Sequence, residues 1–219
     1  MFRYCMLDLD GTVTDSSPGI INSVLYALSR MGIREEDREK LKAFVGPPLS
    51  ESFGTLYGMG AEEAARAISL YRAYYAPKGI YENAVYEGVP AMLEALRAAG
   101  KKVVLVTSKP ELFAVRILEH FGLSGLFDGV YGATMDEVTR SEKIDVMRYA
   151  MRDLGIRDPG EAVMAGDRKY DVEAANALGI PSVGVLYGYG SREELERAGA
   201  AFLAESPEAL AGLLLGETG

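Results

Sequence analysis

The chain has little of two residues on which many catalytic and metal sites depend, histidine and cysteine. Its 219 residues include one histidine (His120), one cysteine (Cys5) and no tryptophan. A single histidine argues against a histidine-based catalytic triad and against a metal site with several histidine ligands. A single cysteine cannot form an internal disulfide, which is typical of proteins from reducing compartments. Acid–base chemistry is therefore expected from carboxylates, lysine or tyrosine.

Long apolar runs and excess positive charge are absent as well. No apolar stretch approaches the roughly 18 residues that span a bilayer, and the first residues, Met1 to Tyr4, lack a secretory signal pattern. We therefore expect a cytoplasmic protein without a membrane partner. The chain has 32 acidic and 23 basic residues, a net charge of −9, which disfavours nucleic acid as a partner. A local cationic pocket for a small phosphorylated metabolite is compatible with this charge, and either a monomer or a dimer is expected.

Short segments rich in valine and leucine alternate with alanine-rich amphipathic segments. Strands are predicted at residues 2–9, 102–106, 127–131, 162–165 and 182–186. Helices are predicted between them, and glycines at positions 100, 122, 155 and 179 are predicted to end four of these helices. Buried strands that alternate with helices predict an α/β fold with a doubly wound parallel sheet.

Residues 16–86 interrupt this alternation because they contain no convincing strand. A helix is predicted from Ser17-Pro18, and further helices are predicted at 35–44, 50–57 and 61–75. This segment is far longer than a crossover between parallel strands requires. We therefore predict a core of residues 1–15 and 87–219 and a small inserted helical domain of residues 16–86.

The first predicted strand ends in a pair of aspartates, Asp8 and Asp10, followed by Gly11 and Thr12. Two carboxylates at the carboxyl end of a parallel strand lie where α/β sheets bind ligands. They repel each other unless a divalent cation or a proton intervenes. The turn at Gly11 and Thr12 can direct backbone amides at an anion. This arrangement predicts a site for a cation and a phosphoryl group.

Two other strand ends carry polar residues. Thr107 and Ser108 follow the second core strand, where hydroxyl and amide groups suit a phosphate, although Ser108 is equally explained as a helix N-cap. Asp167 and Asp171 follow the fourth core strand, one helical turn apart, so both can approach one cation. An ordinary helix start explains Asp171 about as well.

Candidate residues outside these strand ends are less certain from spacing alone. Lys143, near the start of a helix, is interpreted either as a surface lysine or as a cation of the site, and Arg140 has the same two interpretations. Gly46 and Pro47, inside the insert, form either a rigid turn or a loop that binds substrate. The glycine-rich segment 187–190, after the fifth core strand, is either a pocket lining or a plain turn.

These features together carry a family resemblance. Four segments resemble the signature motifs of the haloacid-dehalogenase-like superfamily, in the family's order: DLDGTVTD (8–15), VTSKP (106–110), Lys143 and GDRKYD (166–171). The segments SSPGI (16–20), VGPPLSESF (45–53) and YEGVPAMLEAL (86–96) resemble its phosphoglycolate-phosphatase-like branch. The resemblance implies a Rossmann-like core with a helical cap inserted after the first motif.

The resemblance also implies a role for each motif residue. Asp8 is implied to be the nucleophile that forms an aspartyl-phosphate, and Asp10 the general acid and base. Mg²⁺ is implied at Asp8, at the main-chain carbonyl of Asp10 and at Asp167, with Asp171 supporting the site. Thr107, with Ser108, Gly11 and Thr12, is implied to hold the phosphoryl group, and Lys143 to neutralise charge. The family's third motif is often Lys-Pro; here it is Glu142-Lys143-Ile144, so Arg140 stays as the alternative cation.

The predicted activity is therefore Mg²⁺-dependent hydrolysis of a small phosphomonoester, with phosphoglycolate as the first candidate. A 5′-nucleotidase, a pyrophosphatase and a sugar-phosphate phosphatase of the same superfamily are the alternatives. Tyrosines 71, 75, 187 and 189 are considered as a platform for a nucleobase. A non-enzymatic alternative is a Mg²⁺-binding phospho-acceptor signalling domain, which the insert and the second aspartate of the first motif disfavour.

Overall fold

The computed structural model describes residues 2–136 and 139–216, which form eight strands and ten α-helices. The strands are β1 (Tyr4–Leu7), β2 (Thr14–Asp15), β3 (Ala84–Val85), β4 (Lys102–Pro110), β5 (Gly129–Ala133), β6 (Ala162–Gly166), β7 (Ser182–Val185) and β8 (Phe202–Ala204). The helices are α1 (Ser17–Arg30), α2 (Arg38–Leu41), α3 (Leu49–Tyr57), α4 (Ala61–Tyr75), α5 (Val89–Ala98), α6 (Glu111–His120), α7 (Lys143–Leu154), α8 (Lys169–Ala177), α9 (Arg192–Ala198) and α10 (Pro207–Leu215). No helix in these described ranges is both long and apolar enough to cross a membrane.

The chain divides into two compact units. The core unit comprises Met1–Thr14 and Val85–Gly219, and the inserted unit comprises Asp15–Ala84. The short strands β2 and β3 form a separate two-stranded sheet. The prediction of no strand in 16–86 is therefore wrong at β3, which is too short to leave a pattern in the sequence.

The core unit contains a six-stranded sheet in the order β5-β4-β1-β6-β7-β8, and all its strand pairs are parallel. Counting only these six strands along the chain, the order is 3-2-1-4-5-6, which is that of a doubly wound sheet. The predicted parallel α/β fold is thus confirmed. The sixth strand, β8, and the following helix α10 were not predicted, because a three-residue strand carries too little pattern.

Strand β1 lies at the centre of the sheet, and its residues Cys5, Met6 and Leu7 are fully buried. Tyr4 and Met6 pack in one hydrophobic cluster with residues of α7 and α8, among them Val146 and Ala174. Successive side chains of a strand point to opposite faces, and α5 and α6 also contact β4. Helices therefore cover both faces of the sheet, which explains why the central strands are apolar throughout.

The register of the three central strands determines where the polar residues lie. Leu7 of β1 is paired with Leu105 of β4 and with Ala165 of β6. The amide of Asp8 then donates to the carbonyl of Ala165, at 2.9 Å. The carboxyl ends of β1, β4 and β6 therefore meet at one edge of the sheet, and the chain order reverses between β1 and β6.

Two kinds of predicted boundary have different outcomes. The four predicted helix-ending glycines all have left-handed φ values, from 67° to 75°, so those helix ends are confirmed. The predicted helix start at Lys109-Pro110 is wrong: β4 continues to Pro110, which is the N-cap of α6. The N-cap interpretation of Ser108 is therefore excluded.

The inserted unit has its own small core. Helix α1 contacts α4, which also contacts α3, and the rings of Phe44 and Phe53 meet edge to face with centroids 4.8 Å apart. The helix predicted at 35–44 is shorter in the structure, where α2 is followed by a 3₁₀ turn at Lys42–Phe44. Tyr71 and Tyr75 stack on each other and are 5% and 2% exposed, so they contribute to this core and do not form an open platform.

Candidate active site

A buried lysine, Lys143, joins two of the predicted site aspartates. Its Nζ lies 2.8 Å from Oδ1 of Asp8 and 2.7 Å from Oδ1 of Asp171. Nζ also donates to the carbonyl of Val106 in β4, at 3.0 Å. Lys143 is 5% exposed, so it is not the solvated lysine of the alternative interpretation. The first residue of α7 thus holds together the ends of β1, β4 and the start of α8.

The other candidate cation, Arg140, points to different partners. Its Nε donates to the carbonyl of Gly132 at 2.7 Å, and Nη2 donates to Glu111 at 3.1 Å. The guanidinium also lies over the ring of Tyr149, 4.0 Å from its centroid. Of the two candidates, Lys143 is therefore the one that contacts Asp8.

Asp8, Asp167 and Asp171 form a cluster of buried carboxylates. One oxygen of each lies within 4.8 Å of the others. Oδ1 of Asp8 also accepts a hydrogen bond from the Leu9 amide, at 2.8 Å. Asp171 is occupied on both oxygens, by Lys143 on Oδ1 and by the Arg168 amide on Oδ2 at 3.2 Å. Asp171 is therefore placed to orient Lys143, whereas Asp167 does not contact this lysine.

The electrostatics of the cluster reflect one ammonium among three carboxylates. Burial raises the pKa of Asp167, and repulsion from Asp171 and Asp8 raises it further. Burial also raises the pKa of Asp171, against the opposing effect of Lys143. For Lys143, burial opposes the charge, but Asp171 and Asp8 outweigh it and raise its pKa to about 12. The cluster therefore keeps an excess of negative charge.

This chemistry fits a divalent cation. Oδ1 of Asp167 is buried and has no hydrogen-bond partner among the described residues, which is costly unless a ligand satisfies it. The donors are all carboxylate oxygens, the ligands that Mg²⁺ and Ca²⁺ prefer. A divalent cation would also offset the excess negative charge. Among the described residues, Asp8 and Asp167 are the best placed to hold it.

Asp167 is seated by backbone atoms that sequence reasoning did not identify. The amide of Tyr189 donates to Oδ2 of Asp167, at 2.8 Å. Glycines surround this aspartate: a Cβ on Gly188 would overlap Cβ of Asp167, and a Cβ on Gly190 would overlap its carbonyl oxygen. Gly11 approaches equally closely and has a φ of 80°. The glycines of the segment 187–190 therefore do more than form a plain turn, because they allow the backbone to enclose Asp167.

Replacing Gly190 by alanine is expected to disturb this seat. Because the new Cβ would overlap backbone, the overpacking should cost about 1–3 kcal/mol of stability and move Asp167. We expect a lower Tm and a higher Mg²⁺ concentration for half-maximal activity. Gly125→Ala is the matched control, since that Cβ would meet no atom within 4 Å. Equal Mg²⁺ dependence in both variants would show that Gly190 does not seat Asp167.

Asp10 is separate from the carboxylate cluster. Its Oδ2 lies 2.8 Å from Nζ of Lys109, and the two side chains are 12% and 6% exposed. The predicted role of its main-chain carbonyl at the metal stays a prediction, but its carboxylate belongs to this pair. Lys109 was missed because the predicted helix start at this position would have turned it away from Thr107.

The predicted phosphoryl-binding residues lie at the same sheet edge. Thr107 is 1% exposed, and its Oγ1 accepts a hydrogen bond from the Lys109 amide, at 3.2 Å. The amides of Gly11 and Thr12 donate within their own turn, to the carbonyls of Thr14 and Leu9. They would have to share these hydrogens to bind a phosphate. Ser108 is half-buried in β4, and phosphate binding by these residues stays a prediction.

Gly46 and Pro47 belong to the inserted unit. Gly46 has a φ of 105°, which favours glycine, and the following Pro48 is the N-cap of α3. The rigid-turn interpretation therefore agrees with their local structure. Their predicted contact with substrate stays a prediction.

The fold and these strand ends define a family. Residues 5–185 match the family of haloacid dehalogenase-like hydrolases. The chain therefore belongs to this family, and the suspected resemblance is confirmed. It is accordingly a hydrolase and not the signalling domain considered as the non-enzymatic alternative.

Three known proteins illustrate the similarity. The chain is 40% identical to a 5′-nucleotidase from Pseudomonas aeruginosa over 190 residues, which cover 87% of this chain and 85% of that protein. It is 34% identical to a phosphoglycolate phosphatase from Rhodospirillum rubrum over 211 residues, covering 91% and 86%. The crystal structure of a predicted phosphatase from Clostridium acetobutylicum superposes with a TM-score of 0.95 and 45% identity, covering 99% of both chains.

Proposed function

We propose that the protein is a Mg²⁺-dependent phosphatase that hydrolyses a small phosphomonoester through an aspartyl-phosphate on Asp8. The observation that carries this proposal is the contact between Asp8 and the buried Lys143, beside the unpartnered oxygen of Asp167. Asp8, Asp167 and the main-chain carbonyl of Asp10 would hold Mg²⁺, which when bound neutralises charge on the phosphoryl oxygens.

The two chemical steps use Asp8 and Asp10 in turn. In the first step, a carboxylate oxygen of Asp8 bonds to phosphorus while the bond to the leaving oxygen breaks, and Asp10 gives that oxygen a proton. In the second step, water bonds to phosphorus, its proton passes to Asp10, and the bond between phosphorus and Asp8 breaks. Asp10 thus returns to its starting state.

The remaining residues bind and orient. Lys143 offsets the charges of Asp8 and of the phosphoryl group, and Asp171 keeps Lys143 in place. The buried Thr107, at the end of β4, is proposed to hold a phosphoryl oxygen. Because phosphoryl transfer depends mainly on position and on neutralised charge, these contacts account for most of the catalysis.

The leaving group has two candidates. Phosphoglycolate is the sequence-based choice and is supported by the 34% identical phosphoglycolate phosphatase. A nucleoside 5′-monophosphate is the second candidate, favoured by the higher identity, 40%, to a 5′-nucleotidase. The burial of Tyr71 and Tyr75 removes them as a nucleobase platform, so a base would have to use other residues, such as the half-buried Tyr187 and Tyr189.

A substrate panel decides between these candidates. We expect kcat/KM at saturating Mg²⁺ to favour one class by at least about tenfold, or about 1.4 kcal/mol of transition-state stabilisation. The panel contains phosphoglycolate, AMP, UMP, pyrophosphate and glucose 1-phosphate, with phosphate release as the readout. Higher kcat/KM for AMP or UMP would replace phosphoglycolate by a nucleotide. Absence of phosphate release from every ester, with folded protein and Mg²⁺, would contradict the proposed function.

A further inference from the structure

The side chain of Asp10 has two differently used oxygens. Oδ2 lies 2.8 Å from Nζ of Lys109. Oδ1 is buried and has no hydrogen-bond partner among the described residues. One oxygen is therefore anchored, while the other is left for a group that the protein itself does not supply.

The lysine that anchors Oδ2 is itself constrained. Lys109 is 9% exposed, and its amide donates to Oγ1 of Thr107, at 3.2 Å. Because β4 continues through Pro110, Lys109 and Thr107 are two residues apart on one extended strand. The same strand end therefore carries the proposed phosphoryl-binding hydroxyl and the anchor of Asp10.

We propose that Lys109 is a positioning residue that fixes the carboxyl group of Asp10 so that Oδ1 exchanges the proton with the leaving oxygen and with water. This inference rests on the proposed function and adds a residue to it. The ion pair restricts rotation of a short side chain, and correct orientation of a reacting group is a large part of catalysis. Lys109 itself contacts neither phosphorus nor the leaving group in this role.

The leaving group provides a readout specific to this role. An alkyl phosphate releases a basic alkoxide that needs a proton from Asp10, whereas p-nitrophenyl phosphate releases a stable anion that needs little help. A residue that acts through Asp10 should therefore matter for the first ester and hardly for the second. A residue that binds the phosphoryl group or supports the fold should matter equally for both.

The experiment measures first-turnover cleavage of both esters with enzyme in excess. Lys109→Met, which keeps the apolar stem, should slow cleavage of the best alkyl substrate from the panel by on the order of 100-fold and that of p-nitrophenyl phosphate by less than about tenfold. KM should change little, and Lys109→Arg should restore most of the rate. Lys102→Met is the matched control, since this exposed lysine of β4 pairs with Asp128 outside the site.

A double-mutant cycle completes the test. If Lys109 acts through Asp10, adding Lys109→Met to Asp10→Asn should cause no further loss with the alkyl ester. Equal losses on the two esters, or additive losses in the cycle, would overturn the inference. If Lys109→Met does not fold, as judged by its melting curve, the same measurements on Lys109→Gln and Lys109→Arg decide the question.

Failure of the proposed function has a different signature. Full activity of Asp10→Asn on the alkyl ester would remove Asp10 from acid–base catalysis, and the inference about Lys109 with it. A large loss in Asp10→Asn together with an unchanged Lys109→Met would overturn the inference alone and leave the proposed function intact.

Discussion

Replacing Asp8 by asparagine is expected to lower phosphate release by at least about 1,000-fold, because an amide is a poor nucleophile of nearly the same size. The fold should survive. Lys143 keeps Asp171 and the Val106 carbonyl as partners, and the asparagine carbonyl can still accept from the Leu9 amide. The measurement is steady-state phosphate release beside a thermal melt of both proteins.

A trapping experiment tests the intermediate directly. Acid-quenched wild-type protein should retain radioactive phosphate from a labelled substrate, and Asp8→Asn should retain none. Asp145→Asn is the control, since this more exposed carboxylate lies on the same core unit and pairs with Arg148. Labelling of Asp8→Asn at the wild-type level would move the nucleophile to another residue.

The sequence predicted the parts of this site that depend on strand ends. Asp8 and Asp167 directly follow apolar strands, and neighbouring parallel strands end at one edge of the sheet. Their proximity therefore follows once the sheet is predicted. The assignment of Lys143 was left open beside Arg140, because either cation lies near the start of α7, and only the packing of this helix on β4 decides which one reaches Asp8.

Contacts that depend on backbone atoms or on one strand boundary were not predictable. The Tyr189 amide that binds Asp167 is a group that every residue except proline carries, so no sequence pattern marks it. Lys109 was assigned to a helix because Ser-Lys-Pro resembles a helix start, whereas pairing with β5 keeps β4 extended as far as Pro110. Tertiary pairing outweighed the local preference there.

Removal of divalent cations should abolish activity and also lower the stability of the protein. EDTA should silence phosphate release, and Mg²⁺ should restore it, because the excess negative charge of the cluster is otherwise uncompensated. At 100 times its Kd, a ligand stabilises the folded state by about 2.7 kcal/mol. At about 2–4 °C per kcal/mol for a chain of this size, Mg²⁺ should raise the Tm by roughly 5–10 °C.

The pKa of Asp167 gives this prediction its sign. Because burial and the neighbouring carboxylates raise that pKa in the folded protein, the metal-free protein is favoured at low pH and loses stability as pH rises through the folded pKa. At neutral pH, metal-free Asp167→Asn should therefore melt at a higher temperature than metal-free wild type, and Mg²⁺ should shift its Tm much less. Asp145→Asn should keep the wild-type response. If Mg²⁺ left the Tm of the wild type unchanged, or shifted both proteins equally, Asp167 would not be a ligand, and the buried cluster would need another source of positive charge.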